Sequence, residues 1–377
     1  MHLTKEEIFK NTGIYKGKEL PAILKEREKV RRILLIKLQH FGDVLLTTPI
    51  LSTLKMNYPN CLIDVLLYKN TEQMLSCNKD VNNVYTIDRD WKKMGRKTQI
   101  AEEYALLKKV SSEKYDLVIN LSGQMRMAVY IMLMKPRFSI GYRHRKRNNW
   151  LWKNAHDILV DTNDHTLRHT VLNNLDILFP LGLPEISSAV TMCYGQGDVD
   201  FFNNIAKENN LVDYILIQPT ARWYFKTWKD EYFSQLINHL TEKGQRIILT
   251  AANNEKEIAS INNILSGCKH KDMIINMSGK VSFSQLAILI KNAKLFIGVD
   301  SVPMHMAAAL QTPSVVLFGP SNIKQWYPWQ APHKMLWAGD YRALPYYTEI
   351  DTNTEERYLE AIPVEDVIKA AEEYINK

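Results

Sequence analysis

Short apolar runs rich in β-branched residues alternate along most of this chain with longer stretches whose apolar positions recur at helical spacing. In the first half the pattern predicts a strand over 33–38, a helix over 44–57, a strand over 61–67, a helix over 98–113, a strand over 116–121 and a helix over 124–134, followed by a basic loop. A Gly/Pro-marked stretch, FPLGLPEISS from Phe179 to Ser188, interrupts the alternation, and the interdomain linker is expected there or slightly beyond. The pattern then restarts. Strands are expected over 214–220, 246–251, 273–279, 295–300 and 314–319, and helices over 230–243, 254–266, 282–292, from 301, and over 363–375. Alternation of this kind means βαβ units, so the fold class is α/β with two Rossmann-like domains, 1–185 and 186–377. Their parallel sheets are expected to face an interdomain cleft, with the closing helix free to pack back on the first domain.

Composition narrows this only a little. With 377 residues, 46% hydrophobic and 24% charged, the chain suits a two-domain globular protein. A net charge of +7 favours an anionic partner, and nucleic acid, acidic lipid headgroups and phosphorylated sugars fit it equally. The cysteines Cys61, Cys77, Cys193 and Cys268 show no CxxC spacing, which predicts reduced thiols, a cytosolic compartment and no metal site. The charged start, MHLTKEEIFK, lacks the apolar region of a signal peptide, and no apolar run reaches the length of a bilayer span. Any membrane contact is therefore expected to be peripheral.

Candidate chemistry sits where predicted strands end. Asp43 follows the run ILLIKLQHFG at a strand-to-helix turn, where a carboxylate either caps the helix or accepts a proton from a ligand. In GVDSVPMHMAAAL, Asp300 and Ser301 end a strand, Pro303 suits a first helical turn, and His305 lies just inside the helix. Exposed N–H groups at such a helix start favour a diphosphate. The segment QPTARWYFKTW offers Thr220, Arg222 and Lys226 as further donors to phosphate. The run Arg143, His144, Arg145, Lys146, Arg147 is the densest positive patch, and its aromatic neighbours Tyr142 and Trp150 suit sugar stacking as well as base stacking. No GxxxxGK[ST] occurs, and Gly195-Gln196-Gly197 leads to Asp200 where a dinucleotide fingerprint needs a small residue. The DxD triplets at 88–90 and 198–200 read as solvated loops.

Taken together, KLQHFGDVLLTTP, QPTARWYFKTW, the SGK at 278–280 and GVDSVPMHMAAAL resemble the ADP-heptose:lipopolysaccharide heptosyltransferases, glycosyltransferase family 9. The resemblance runs from about Arg32 to the C-terminus. It implies a GT-B fold, an inverting and metal-independent reaction without cofactor, and ADP-L-glycero-D-manno-heptose as donor. It also implies a heptosylated lipopolysaccharide inner core as acceptor at the cytoplasmic face of the inner membrane, with no nucleic-acid partner. Carried over by motif, Asp43 is the general base, Lys226 holds the donor diphosphate, and Asp300, Ser301 and His305 form the donor site. Lys280 and Val281 match the segment lining the nucleotide, and Glu255 lies near a ribose-binding carboxylate. Val302 departs from the Gly or Ala usual in that motif. Arg143, Arg145, Lys146 and Arg147 are the expected acceptor grip.

Overall fold

A computed structural model describes residues 3–144, 147, 149–162 and 165–376. The chain divides into two compact units, Met1–Thr191 and Met192–Lys377. The first holds seven strands: β1 (Thr12–Gly17), β2 (Arg32–Lys37), β3 (Leu62–Tyr68), β4 (Asn83–Ile87), β5 (Leu117–Asn120), β6 (Ser139–Tyr142) and β7 (Ile158–Thr162). They lie in the order β1-β7-β6-β5-β2-β3-β4. All pairs are parallel except β1 with β7, so the N-terminal segment adds an antiparallel edge that the expected parallel sheet lacked.

The second unit holds β8 (Ile215–Gln218), β9 (Ile247–Leu249), β10 (Ile274–Asn276), β11 (Leu295–Val299), β12 (Ser314–Phe318) and β13 (His333–Trp337). Their order is β10-β9-β8-β11-β12-β13, parallel throughout. Helices cover both faces of such a sheet, so β8, β9, β11 and β12 are buried along their whole length, as their largely apolar sequences require.

Three expectations change. The helix expected over 44–57 is two, Phe41–Leu45 and Thr48–Asn57. Pro49 cannot continue the first, and the hydroxyls of Thr47 and Thr48 donate to the carbonyls of Val44 and Leu45 at 2.6 and 2.9 Å. The segment around 185–191 is strapped to the Thr48–Asn57 helix: Asn57 Nδ2 donates to Glu185 O at 2.7 Å, Ser187 N–H to Thr53 Oγ1 at 2.9 Å and Thr191 N–H to Thr48 Oγ1 at 3.0 Å. The first unit therefore extends to Thr191, past the expected 185/186 boundary. The Val364–Ile375 helix, expected to be free to pack back on the first domain, buries Val364, Val367, Ala370 and Ala371 in the core of the second unit.

Candidate functional site

Each sheet reverses its strand order once, between β2 and β5 in the first and between β8 and β11 in the second. Ligands of open parallel sheets bind at the carboxyl ends of the strands beside such a reversal. Asp43 lies after β2, Lys226 after β8 and Asp300 after β11, beside these reversals.

In the second unit, Lys226 follows β8 and Asp300 follows β11, so their side chains meet across the reversal. Lys226 Nζ lies 2.6 Å from Asp300 Oδ2, with the two side chains 15% and 6% exposed. Ser321, after β12, donates its hydroxyl to the same oxygen at 2.5 Å. Burial alone would raise the Asp300 carboxyl, but the Lys226 charge, these hydrogen bonds and His305 outweigh it and hold the group below the usual range. Gly298, two residues before Asp300, leaves room for the Phe296 ring; a Cβ there would lie 2.7 Å from it. Ser301 caps no N–H of its helix: its hydroxyl turns back to Val299 O at 3.2 Å, at the start of the Val302–Ala309 helix. His305 is buried on that helix, edge-on to Trp326 at 6.0 Å.

Thr220 is wired rather than open. It accepts from Gln218 Nε2 at 2.9 Å and donates to Glu257 Oε2 at 2.5 Å, and Glu257 also accepts from Ala252 N–H and Asn254 Nδ2. Glu255 instead stands exposed on the first turn of the Glu255–Ser266 helix, so the carboxylate tied to the β8 loop lies two residues further on. A capping pattern, Asn254 with Glu257 three residues later, carried that signal in the sequence. Arg222 and Lys226 both lie over the Trp223 ring, at 5.6 and 5.1 Å. Gly279, at φ 71°, turns the chain after β10; exposed Lys280 then donates to Asn276 O at 3.0 Å, with half-buried Val281 beside it.

In the first unit Asp43 is the third residue of the Phe41–Leu45 helix, half-buried, and its Oδ2 accepts from His40 N–H at 3.3 Å. It therefore reaches back to the cap rather than being the cap. Lys37, at the end of β2, is buried and donates to Asn174 Oδ1 at 3.0 Å. Burial lowers its ammonium, and the Asp43 charge opposes that shift. Beside this loop, the ends of β3, β4 and β5 enclose a pocket of about 170 Å³ lined by Tyr68, Arg89, Trp91, Gln99 and Arg126 among others. Two guanidiniums flank the Tyr68 ring, Arg89 at 3.9 Å and Arg126 at 5.5 Å, and Arg126 Nη2 donates to the Tyr68 hydroxyl at 3.1 Å. Sequence reasoning missed this grouping, because its members lie far apart in the chain.

Of the basic run, Arg143 donates to Asp161 at 2.5 Å and covers Tyr15 at 4.0 Å, and Arg147 Nε donates to Gly123 O at 3.1 Å. Arg145 and Lys146 lie outside the described residues. The two DxD triplets are not simple solvated loops: Asp88 accepts from Asp90 N–H and Asp198 from Gly195 N–H, each at the start of a helical turn.

Residues 103–356 match the family described as Glycosyltransferase family 9 (heptosyltransferase). The chain belongs to glycosyltransferase family 9. As a family 9 member it is a glycosyltransferase. It is 37% identical to lipopolysaccharide heptosyltransferase 3 of Escherichia coli K12 over 90% of this chain and 96% of that protein. Among solved structures, the family 9 glycosyltransferase of Veillonella parvula aligns with TM-score 0.77 and 22% identity over 92% of this chain and 97% of its own. E. coli heptosyltransferase II aligns with TM-score 0.74 and 20% identity over 92% and 98%. E. coli heptosyltransferase WaaC, solved with ADP-2-deoxy-2-fluoro heptose, aligns with TM-score 0.68 and 20% identity over 91% and 99%. The two Rossmann-like units are thus those of the GT-B heptosyltransferases.

Proposed function

We propose that this family 9 enzyme is the third heptosyltransferase of lipopolysaccharide core synthesis, moving L-glycero-D-manno-heptose from ADP-heptose to an inner-core heptose. The similarity to E. coli lipopolysaccharide heptosyltransferase 3, over nearly the whole of both chains, supports this donor and acceptor. The chemistry rests on one observation above others: a buried lysine and aspartate, paired at 2.6 Å, sit where the second sheet reverses order. Such a pair holds an ammonium in place before substrate arrives, and a fixed cation is what a departing diphosphate needs.

In this reading the donor diphosphate lies against Lys226 and the N-terminal N–H groups of the Val302–Ala309 helix. Asp43 removes the proton from the acceptor hydroxyl. The oxygen attacks the anomeric carbon from the face opposite the diphosphate, the bond to ADP breaks, and its electron pair leaves with the phosphate. Configuration inverts, the proton rests on Asp43, and the positive groups of the chain replace a metal ion. Glu257 and Thr220 shape the nucleotide side of the loop, with Glu255, Lys280 and Val281 at its margin. The paired guanidiniums on Tyr68 hold an anionic group of the acceptor, joined by Arg143 and Arg147 and by Arg145 and Lys146 of the same run. The enzyme works at the cytoplasmic face of the inner membrane without spanning it; among the described residues no helix is long and apolar enough to cross a bilayer.

Incubation with ADP-heptose and a truncated inner-core acceptor, followed by mass and linkage analysis, tests the reading. One added heptose of inverted configuration, formed equally with a chelator present, is the expected product. Transfer from a UDP- or GDP-sugar in preference to ADP-heptose would replace the donor assignment.

A further inference from the structure

The helices Arg96–Ser111, Met125–Met134 and Trp150–Ala155 pack side by side and bury residues of one cluster with β2, β3, β5 and β7: Val110, Met127, Ile131 and Trp152 among them. Their outer surface is not the polar one that a helix over a sheet normally shows. Met94, Ile100, Tyr104, Leu133 and Trp150 are between 58% and 71% exposed, distributed over all three helices and the turn before the first. On Arg96–Ser111 the outward line runs Lys97, Ile100, Tyr104, Lys108, at spacings that keep one helical face, while Leu106, Leu107 and Val110 point to the sheet side. Ile100 and Tyr104 thus widen the apolar stripe of this helix past the part that packs on the sheet, and they stand uncovered.

The charge beside that line is mostly positive. Lys92, Lys93, Arg96 and Lys97 fall within six residues, all exposed; of the acids that flank them, Asp90 is engaged by Lys93 at 2.7 Å and Glu102 stands exposed on the helix. We infer that this three-helix face is the docking surface for an anionic lipid bilayer, with Ile100, Tyr104, Leu133 and Trp150 entering the headgroup region and the 92–97 cations meeting acidic headgroups. Aliphatic side chains beside lysines match that partner, since the apolar parts need an acyl boundary and the cations need fixed negative charge. Self-pairing through the same stripe would set lysine against lysine, and bare nucleic acid offers Ile100 and Leu133 nothing to enter. The inference deepens the proposed function and rests on it for the identity of the membrane-anchored acceptor. Gln99 and Glu103 of the same helix line the Tyr68 pocket, so an acceptor anchored in lipid would find its saccharide site at the edge of the docking face.

Flotation of the full chain with vesicles tests this. Binding is expected to vesicles containing phosphatidylglycerol and to be lost with phosphatidylcholine alone or at high salt. The double substitution Ile100→Ser with Tyr104→Ser should weaken partitioning about tenfold, and Lys97→Glu should weaken it without removing apolar area. Both variants should turn over an acyl-free acceptor at the parental rate and an acceptor embedded in vesicles more slowly. Unchanged flotation of both variants overturns the docking surface. So does a parental dimer that the double variant converts to monomer, which assigns the face to a second copy. Failure of the parental chain to use the acyl-free acceptor would instead strike the proposed function and leave the flotation result standing.

Discussion

The two sheet reversals carry the same charges in opposite states. After β11, Asp300 is enclosed, with Lys226 and Ser321 both donating to one of its oxygens; after β2, Asp43 is half-buried, with a single long bond from His40 N–H, while the nearby Lys37 is buried and turned to Asn174. A carboxylate committed to a lysine positions charge and does not move protons. One held loosely at a helix start can still take a proton from a ligand. In the proposed reaction the same residue type thus serves as scaffold in one unit and as reactant in the other.

That contrast can be broken most severely at Asp43. Asp43→Asn keeps the shape and the bond from His40 but removes basicity, and should lower kcat by about two to four orders of magnitude while ADP-heptose affinity, read by calorimetry, stays constant. Lys226→Met should act on the fold as well as on the donor. Leaving Asp300 buried and unpaired costs about 3–5 kcal/mol in denaturant unfolding. Adding Asp300→Asn should recover most of the stability and none of the donor affinity, separating the scaffold role from the binding role.

A third probe concerns the first unit alone. His156 is buried, its ring bonded to Asn120 Nδ2 at 3.1 Å and to Trp152 O at 2.9 Å, and burial pushes it down to about 4. The folded state then binds fewer protons than the unfolded state between pH 6.5 and 4. Stability from this group is complete above 6.5 and falls by up to about 3 kcal/mol as the pH drops to 4. His156→Gln should flatten that part of the pH dependence in chemical unfolding. The smallest effect expected is between neighbours: Glu257→Gln should weaken ADP binding about tenfold by loosening the β8 loop, whereas Glu255→Gln should leave it unchanged within error.

The second unit was largely legible because its four central strands are buried along their length and read as short apolar runs, as in Ile215–Ile217 and Leu295–Val299. What escaped was short or half-exposed: Asn83–Ile87 and His333–Trp337 each bury only part of their residues, Ser139–Tyr142 spans four residues, and the Gln196–Glu208 helix buries Ile205 alone. Motif reading located Asp43, Lys226 and Asp300 at strand ends. It could not show that Lys226 and Asp300 touch, since that depends on β8 and β11 being neighbours, nor that Arg89, in the turn after β4, and Arg126, on the Met125–Met134 helix, close on Tyr68 at the end of β3.

The antiparallel β1 has a practical meaning for anyone handling this protein. Thr12 donates to Asp176 at 2.5 Å, Arg168 bonds both Asp176 and the carbonyl of Ile8, and the strand occupies the hydrogen-bonding edge of β7. Trimming the first thirty residues to reach a tidier Rossmann-like core would bare that edge and its carboxylate together. The product would offer an open template for chain-to-chain pairing, so a preparation cut at that point should come out as aggregate, and affinity handles belong at the other terminus.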